Sequence, residues 1–83
     1  MLRMDNIQFE LAEPLPFLNT EATIVDFVVT YPSGGCYWKL LDAAGAQLKD
    51  GNYTFPEEVL INWTDSDDVL IDDLNQAQPW LIP

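Results

Sequence analysis

The stretch that decides the fold is residues 22–55, ATIVDFVVTYPSGGCYWKLLDAAGAQLKDGNYTF. In its first ten residues, Val25, Phe27 and Val29 fall on one face of an extended chain. β-Branched and aromatic residues in a two-residue period are typical of a half-buried strand, which is predicted over 22–31. The Pro-Ser-Gly-Gly sequence that follows breaks this strand, and its glycines supply the positive φ angles of a tight hairpin turn.

Two further strands are predicted after this turn. Residues 36–42 alternate again and form the return strand. The sequence DAAG at 42–45 predicts a type I turn closed by a left-handed glycine, which is a common hairpin connection. The next strand is predicted over 46–55. Its apolar phase shifts at Asp50-Gly51, where we expect a β-bulge or a sharp bend.

Beyond residue 55 the apolar period lengthens to that of a helix. A short helix is predicted over about 56–62, with the Thr54 hydroxyl as its cap. A second helix is predicted to begin at 64–67 and to end near Gln76, and an apolar tail follows at 78–83. The side chains expected on the inner sides of the helices are Val59, Leu60, Trp63, Leu70, Ile71, Leu74 and Ala77.

The residues before the hairpin stretch, 1–21, are predicted to form an extended arm and a proline-rich connector. Near the start, apolar and polar residues alternate, which indicates a short strand or arm with one apolar face. Prolines at positions 14 and 16 are expected to exclude regular structure and to stiffen the chain. The apolar side chains of this segment are Ile7, Phe9, Leu11, Leu15 and Phe17.

These segments predict one α+β domain over residues 1–83, a length that suits a single domain. A three- to four-stranded antiparallel meander (22–55) is followed by two short helices (56–77), with extended N- and C-terminal segments. Helices that follow a meander are expected to cover one face of its sheet.

Net charge restricts the classes of partner. Fourteen acidic residues stand against three basic ones, which gives a formal net charge of −11. Direct binding to nucleic acid needs basic residues that displace counterions, and anionic membrane surfaces also attract basic segments. We therefore expect neither nucleic acid nor a membrane as a direct partner, whereas a basic protein surface is compatible with this charge.

The sequence predicts no enzymatic activity. It contains no histidine, the residue that most often serves as a general base and metal ligand. Cys36 has no adjacent base, so a packed structural thiol is the simpler interpretation. The acidic run at 65–73 begins like a calcium loop, but Val69 and Leu70 occupy a ligand position and the glycine position. We therefore expect no catalytic, cofactor-binding or metal-binding residues, and no cofactor.

One part of the chain resembles a known group of proteins. Residues 38–74 contain WKLLD at 38–42, GNYTFPEEV at 51–59, Trp63 and the pair Asp67-Asp68. This combination resembles small uncharacterised proteins of tailed bacteriophages, in which a hairpin leads into a helical segment of this kind. The resemblance implies a shared fold and a phage setting. Small domains in that setting commonly serve as virion components, such as decoration, connector, tail or fibre-attachment proteins.

The resulting hypothesis is a non-enzymatic structural or adaptor protein of the virion. We expect it to assemble in the host cytoplasm and to bind other virion proteins in homo- or hetero-oligomers. Extended segments that dock on a neighbour are a common recognition mode. The predicted partner-binding residues are the apolar side chains of the arm and the tail: Ile7, Phe9, Leu11, Leu15, Phe17, Trp80, Leu81 and Ile82.

The charge also suggests an alternative, an acidic inhibitor of the anti-restriction or anti-CRISPR type that mimics the phosphates of nucleic acid. Such a mimic needs free carboxylates aligned along one face of the molecule. In this sequence the acids are dispersed, and only the group at 65–73 is dense. A carboxylate ridge on the surface would favour this alternative, and scattered acids would count against it.

Overall fold

The hairpin stretch forms the middle of a four-stranded sheet in the computed structural model, which describes residues 2–64 and 66–82. The elements in chain order are β1 (Arg3–Phe17), β2 (Thr20–Tyr31), β3 (Gly35–Leu41), β4 (Gln47–Thr54), α1 (Glu57–Ile61), α2 (Asp68–Ala77) and a C-terminal 3-10 helix (Pro79–Leu81). Neighbouring strands are antiparallel and lie in the order β1-β2-β3-β4. The predicted α+β meander followed by two short helices is therefore confirmed. Within the described ranges, no helix is long and apolar enough to cross a membrane.

One face of the sheet is buried and the other is open, as the two-residue period predicts. Val25, Phe27 and Val29 of β2 are fully buried, whereas the alternate residues of that strand are only partly covered. Trp38 and Leu40 of β3 continue the buried face. The helices contribute to the same core through Leu60, Leu70 and Leu74. Removal of this apolar area from water, worth about 25 cal/mol per Å², holds the helices against the sheet.

β1 is longer and more regular than predicted. Residues 3–10 pair with β2 without interruption, and residues 15–17 pair again with residues 20–22. Between them the register shifts, because residues 11–14 bulge opposite a single residue of β2. The prediction that both prolines exclude regular structure is therefore wrong for Pro16, which pairs with Glu21, whereas Pro14 lies in the bulge. β1 is an edge strand, where a proline without an N–H removes no hydrogen bond from the sheet interior.

β4 carries a bulge, but at a different position from the predicted one. The register of β3 and β4 shifts just after Leu40, opposite Leu48, whereas Asp50 and Gly51 pair regularly. Gly51 has another role, because its missing side chain leaves room for the indole of Trp38. A Cβ built on Gly51 would lie 2.9 Å from Cε2 of that ring and closer still to Cζ2.

The turns and helices lie close to the predicted residues and differ in three details. Gly34 (φ 80°) and Gly45 (φ 89°) have the positive φ angles that the turns require, whereas Gly35, for which the sequence also predicts a positive φ, is the first residue of β3 and has none. α1 lacks the predicted Thr54 cap, since Pro56 occupies the N-cap position and forms no side-chain bond to the first turn. Ala77, predicted on the inner side of α2, is exposed because the helix ends there.

Replacing Gly51 by Ala tests the packing of the Trp38 ring. At an ordinary strand position this change raises stability by about 0.5–1 kcal/mol. Here we expect the free energy of unfolding to fall by about 1–3 kcal/mol instead, because the new methyl group displaces the indole. Urea unfolding followed by fluorescence measures the change. The same substitution made in a Trp38→Phe background is the control and should cost nothing. A Gly51→Ala chain as stable as the parent would contradict this packing.

Candidate protein-binding surfaces

One of the predicted partner-binding residues of β1 belongs to the hydrophobic core, and a second packs against it. Ile7 is only 8% exposed. Phe9 is half-buried and packs edge-to-face on Phe27, with ring centroids 6.2 Å apart. Because β1 is a regular strand up to Glu10, its apolar face points into the sheet's own core. This burial removes Ile7 from the set of residues that a partner can reach and covers part of Phe9.

Trp80 is also buried, with 3% of its surface exposed. Gln78 follows α2 in a left-handed conformation (φ 44°) that turns the chain back, and Pro79 begins the 3-10 helix. This turn brings Trp80 edge-to-face onto Trp38, with ring centroids 5.9 Å apart and an interplanar angle of 80°. Lys49 Nζ donates a hydrogen bond to the Trp80 carbonyl oxygen at 2.6 Å. The expected extended tail is therefore a folded turn, and Trp80 is a core residue instead of a docking one.

The remaining predicted residues come together at one end of the sheet. Leu11, Leu15 and Phe17 lie half-buried along the last part of β1, whereas Leu81 and Ile82 are 58% and 67% exposed. Leu15 and Leu81 line two adjacent grooves of about 380 and 640 Å³ between β1 and the 3-10 helix. We name this region the Leu81 surface; its apolar side chains are Leu11, Leu15, Phe17, Leu81 and the neighbouring Ile82.

The bulge of β1 shapes the larger of these grooves. Ala12 and Glu13, which leave the ladder there, line it together with Asn75 and Gln78 from the end of α2. In the smaller groove the charged residue is Lys49, whose ammonium group is already bound to a backbone carbonyl. The Leu81 surface therefore offers apolar contact area bordered by amides and a carboxylate.

A second apolar region lies at the opposite end of the sheet, where sequence patterns did not reveal it. Leu2 and Met4 are 87% and 71% exposed, and Ile61 of α1 is 66% exposed. Tyr31, the last residue of β2, is 37% exposed and lines a groove with Ile61. Leu2 and Met4 line a separate groove with Tyr31, on the other face of the sheet from Ile61. We name Tyr31 and Ile61, with the groove between them, the Tyr31 surface. The feature of the sequence that could have revealed this region is Ile61, an apolar residue that does not fall on the predicted inner side of the helix.

The Cys36 thiol and the Tyr53 hydroxyl are held in their protonated forms. Burial raises the pKa of the Cys36 thiol to about 12, so the thiol stays protonated at neutral pH. Burial and a hydrogen bond to Asp73 raise the pKa of Tyr53 to about 12; its hydroxyl donates to Oδ2 at 2.7 Å. In residues 2–64 and 66–82, no three metal-ligating side chains cluster. Asp65, the first position of the calcium-like run, lies outside the described residues.

Many aspartates accept hydrogen bonds within the domain. In the dense acidic group, Asp67 accepts from Trp63 Nε1 at 2.9 Å, and Asp73 accepts the tyrosine hydroxyl just described. Asp68 and Asp72 are exposed on α2. The other aspartates that accept such bonds are Asp5, Asp26, Asp42 and Asp50.

No protein-family model, no curated protein and no solved structure matches this chain.

Adjacent residues of the 3-10 helix should respond differently to truncation. Trp80→Ala removes a buried ring from the contact with Trp38, and we expect the free energy of unfolding to fall by about 3–5 kcal/mol. Leu81→Ala removes an exposed side chain and should change it by less than about 0.5 kcal/mol. Urea unfolding monitored by far-ultraviolet circular dichroism compares the two. Similar losses in both variants would contradict the assigned burial.

Proposed function

We propose that this chain is a non-enzymatic structural or adaptor protein of a tailed-bacteriophage virion that binds other virion proteins through its Leu81 surface. The observation that carries the proposal is the exposure of Leu81 and Ile82 directly after Trp80, which is locked into the core. The 3-10 helix holds Leu81 outward, and Ile82 follows it with its N–H donating to the Pro79 carbonyl at 3.3 Å. Such an arrangement is typical of a preformed docking element.

A preformed element binds at a smaller entropic cost than a flexible tail. Ordering a free segment costs about 1–2 kcal/mol per residue. Here the contact of the Trp80 ring with Trp38 and the hydrogen bond from Lys49 to the Trp80 carbonyl already order the turn, so binding does not carry that cost. Full burial of one exposed Leu or Ile contributes about 1.5–3 kcal/mol. Leu81 and Ile82 together supply a favourable contact for a partner.

The virion setting is supported by the resemblance of residues 38–74 to small proteins of tailed bacteriophages. In this proposal the chain is made in the host cytoplasm and enters the particle, where it contacts other virion proteins or further copies of itself. A net charge of −11 favours a partner with basic groups near the contact and opposes direct binding to DNA or to an anionic membrane. The proposal assigns no catalytic residue and no cofactor.

The alternative, a nucleic-acid mimic, has weaker support. A mimic needs a row of carboxylates that are free to face its target. In the acidic group of α2, Asp67 and Asp73 accept hydrogen bonds from core aromatic side chains, which leaves Asp68 and Asp72 as its exposed described members. The positions of Asp67 and Asp73 are therefore explained by hydrogen bonds within the domain, without a protein target that normally binds nucleic acid.

Incorporation into particles tests the proposed function. Particles of the phage that encodes the chain should contain it at a fixed ratio to the major capsid protein, as measured by quantitative mass spectrometry. In phage carrying Leu81→Asp, this ratio should fall at least about tenfold, because the contact would bury an unpaired carboxylate. The melting temperature of the purified variant should stay unchanged, since the side chain is exposed.

Gln76→Asp is the matched control, because it adds the same charge at an exposed position of α2. It should leave incorporation unchanged, although its melting temperature should fall slightly, because a carboxylate near the C-terminal end of a helix opposes the helix dipole. Absence of the parent chain from purified particles would contradict the proposal. Equal incorporation of Leu81→Asp and Gln76→Asp would contradict it as well.

A further inference from the structure

The Tyr31 surface contains a groove of mixed chemistry. It has a volume of about 290 Å³ and runs between the β2–β3 turn and the outer face of α1. Tyr31 and Pro32 form one wall, Leu60 and Ile61 form the other, and Glu57 lines the same groove. Glu57 and Ile61 are four residues apart, so they lie on one face of the helix. Aromatic, aliphatic and anionic groups thus border a space that can admit a long side chain.

Both walls of the groove are fixed by the fold. In the turn, the hydroxyls of Thr30 and Ser33 lie 2.7 Å apart, and Gly34 N donates to the Thr30 carbonyl at 2.8 Å. Phe55 N donates to the Gly34 carbonyl at 2.9 Å, which ties the turn to the segment before α1. The helix packs so closely on the turn that a Cβ on Gly34 would lie 2.9 Å from Leu60 Cδ1. A ligand therefore meets a preorganised groove.

The charges at this end favour a cationic ligand. Arg3, one of the three basic residues of the chain, is engaged within the domain. It pairs with Asp5 at 2.8 Å and stacks 3.9 Å from the centroid of the Trp63 ring. The Glu57 side chain is exposed at the groove. In a chain of net charge −11, the field also attracts a cation toward this carboxylate.

We propose that the groove between Tyr31 and Glu57 binds an arginine or lysine side chain that a partner protein presents beside apolar residues. The stem of the cation packs between Tyr31 and Ile61, and its head group pairs with Glu57. The flanking apolar residues of the partner contact the remaining exposed parts of Tyr31 and Ile61.

This inference rests on the proposed function only in treating the chain as a protein-binding module, and it adds a second site. The Leu81 surface lies at the other end of the β1–β2 ladder, in a molecule 42 Å long. Two docking sites at opposite ends make the domain a connector that joins two partners.

Peptide titration of the isotope-labelled full chain tests the second site by NMR. The probe is acetyl-Leu-Arg-Leu-amide, and the matched peptide acetyl-Leu-Gln-Leu-amide lacks the charge. For the arginine peptide we expect saturable amide shifts at Ser33, Gly34 and Ile61, with no shift at Ile82. The glutamine peptide should bind at least about threefold more weakly. Equal affinities for the two peptides would overturn the proposal.

Comparison of Glu57→Gln with Glu58→Gln distinguishes peptide binding at the groove from nonspecific attraction of the peptide to the acidic chain. Both remove one charge from the first turn of α1; Glu57 lines the groove, and Glu58 is displaced from it by one helix position. Glu57→Gln should weaken binding of the arginine peptide about three- to fivefold, and Glu58→Gln less than about twofold. Equal losses in the two variants, or shifts spread along α2, would overturn the proposal.

The second site and the proposed function can fail separately. If the arginine peptide does not bind, while Leu81→Asp still excludes the chain from particles, the groove proposal is wrong and the proposed function stands. If the peptide binds as expected but the parent chain is absent from particles, the groove is supported and the virion assignment is wrong.

Discussion

The edge-to-face contact between Trp38 and Trp80 fastens the end of the helical segment to the sheet, and both the core and the Leu81 surface depend on it. The contact needs room above β4, which Gly51 provides, and Lys49 on the same strand adds a hydrogen bond to the Trp80 carbonyl. It also carries a cost. Nε1 of Trp38 is buried without a hydrogen-bond partner in the part of the chain that the structure describes, and such a group costs about 1–3 kcal/mol. Burial of two indole rings opposes that cost, because aromatic side chains contribute the largest apolar areas in a core.

The acidic residues of this chain occupy two kinds of environment. Several aspartates reinforce the fold: Asp26 accepts from side chains of β1, and Asp42 accepts two backbone N–H groups of its turn, whereas Asp68 and Asp72 are exposed on α2. The glutamates are exposed and give the surface much of its charge: Glu10, Glu13, Glu21, Glu57 and Glu58. Exposed carboxylates therefore lie beside the apolar residues at both ends of the sheet, Glu13 at the Leu81 surface and Glu57 at the Tyr31 surface. This combination of apolar area and negative charge suits partners that are apolar and basic.

Sequence patterns predicted those parts of the molecule whose signals are local. The two-residue period of β2 and β3 and the glycines of the two turns identified the meander and its buried face. β1 beyond Glu10 escaped prediction, because local rules exclude a strand at Pro14 and Pro16 and only its edge position permits one. The burial of Trp80 depends on space on the face of β3 and β4 that no local pattern records. The apolar composition of the tail therefore marked Trp80, Leu81 and Ile82 alike as candidates, and tertiary packing decided which of them are exposed.

Trp80 faces inward and Leu81 faces outward, and solvent paramagnetic relaxation measures this difference most directly. A soluble gadolinium chelate added to the labelled full chain broadens the NMR signals of exposed protons much more than those of buried ones. We expect strong broadening of the Leu81 and Ile82 methyl signals, weak broadening of the Trp80 ring signals, and nuclear Overhauser effects between the Trp38 and Trp80 rings. Equal broadening of the Trp80 and Leu81 signals, without Overhauser effects between the two rings, would contradict the fastened turn on which the docking surface depends.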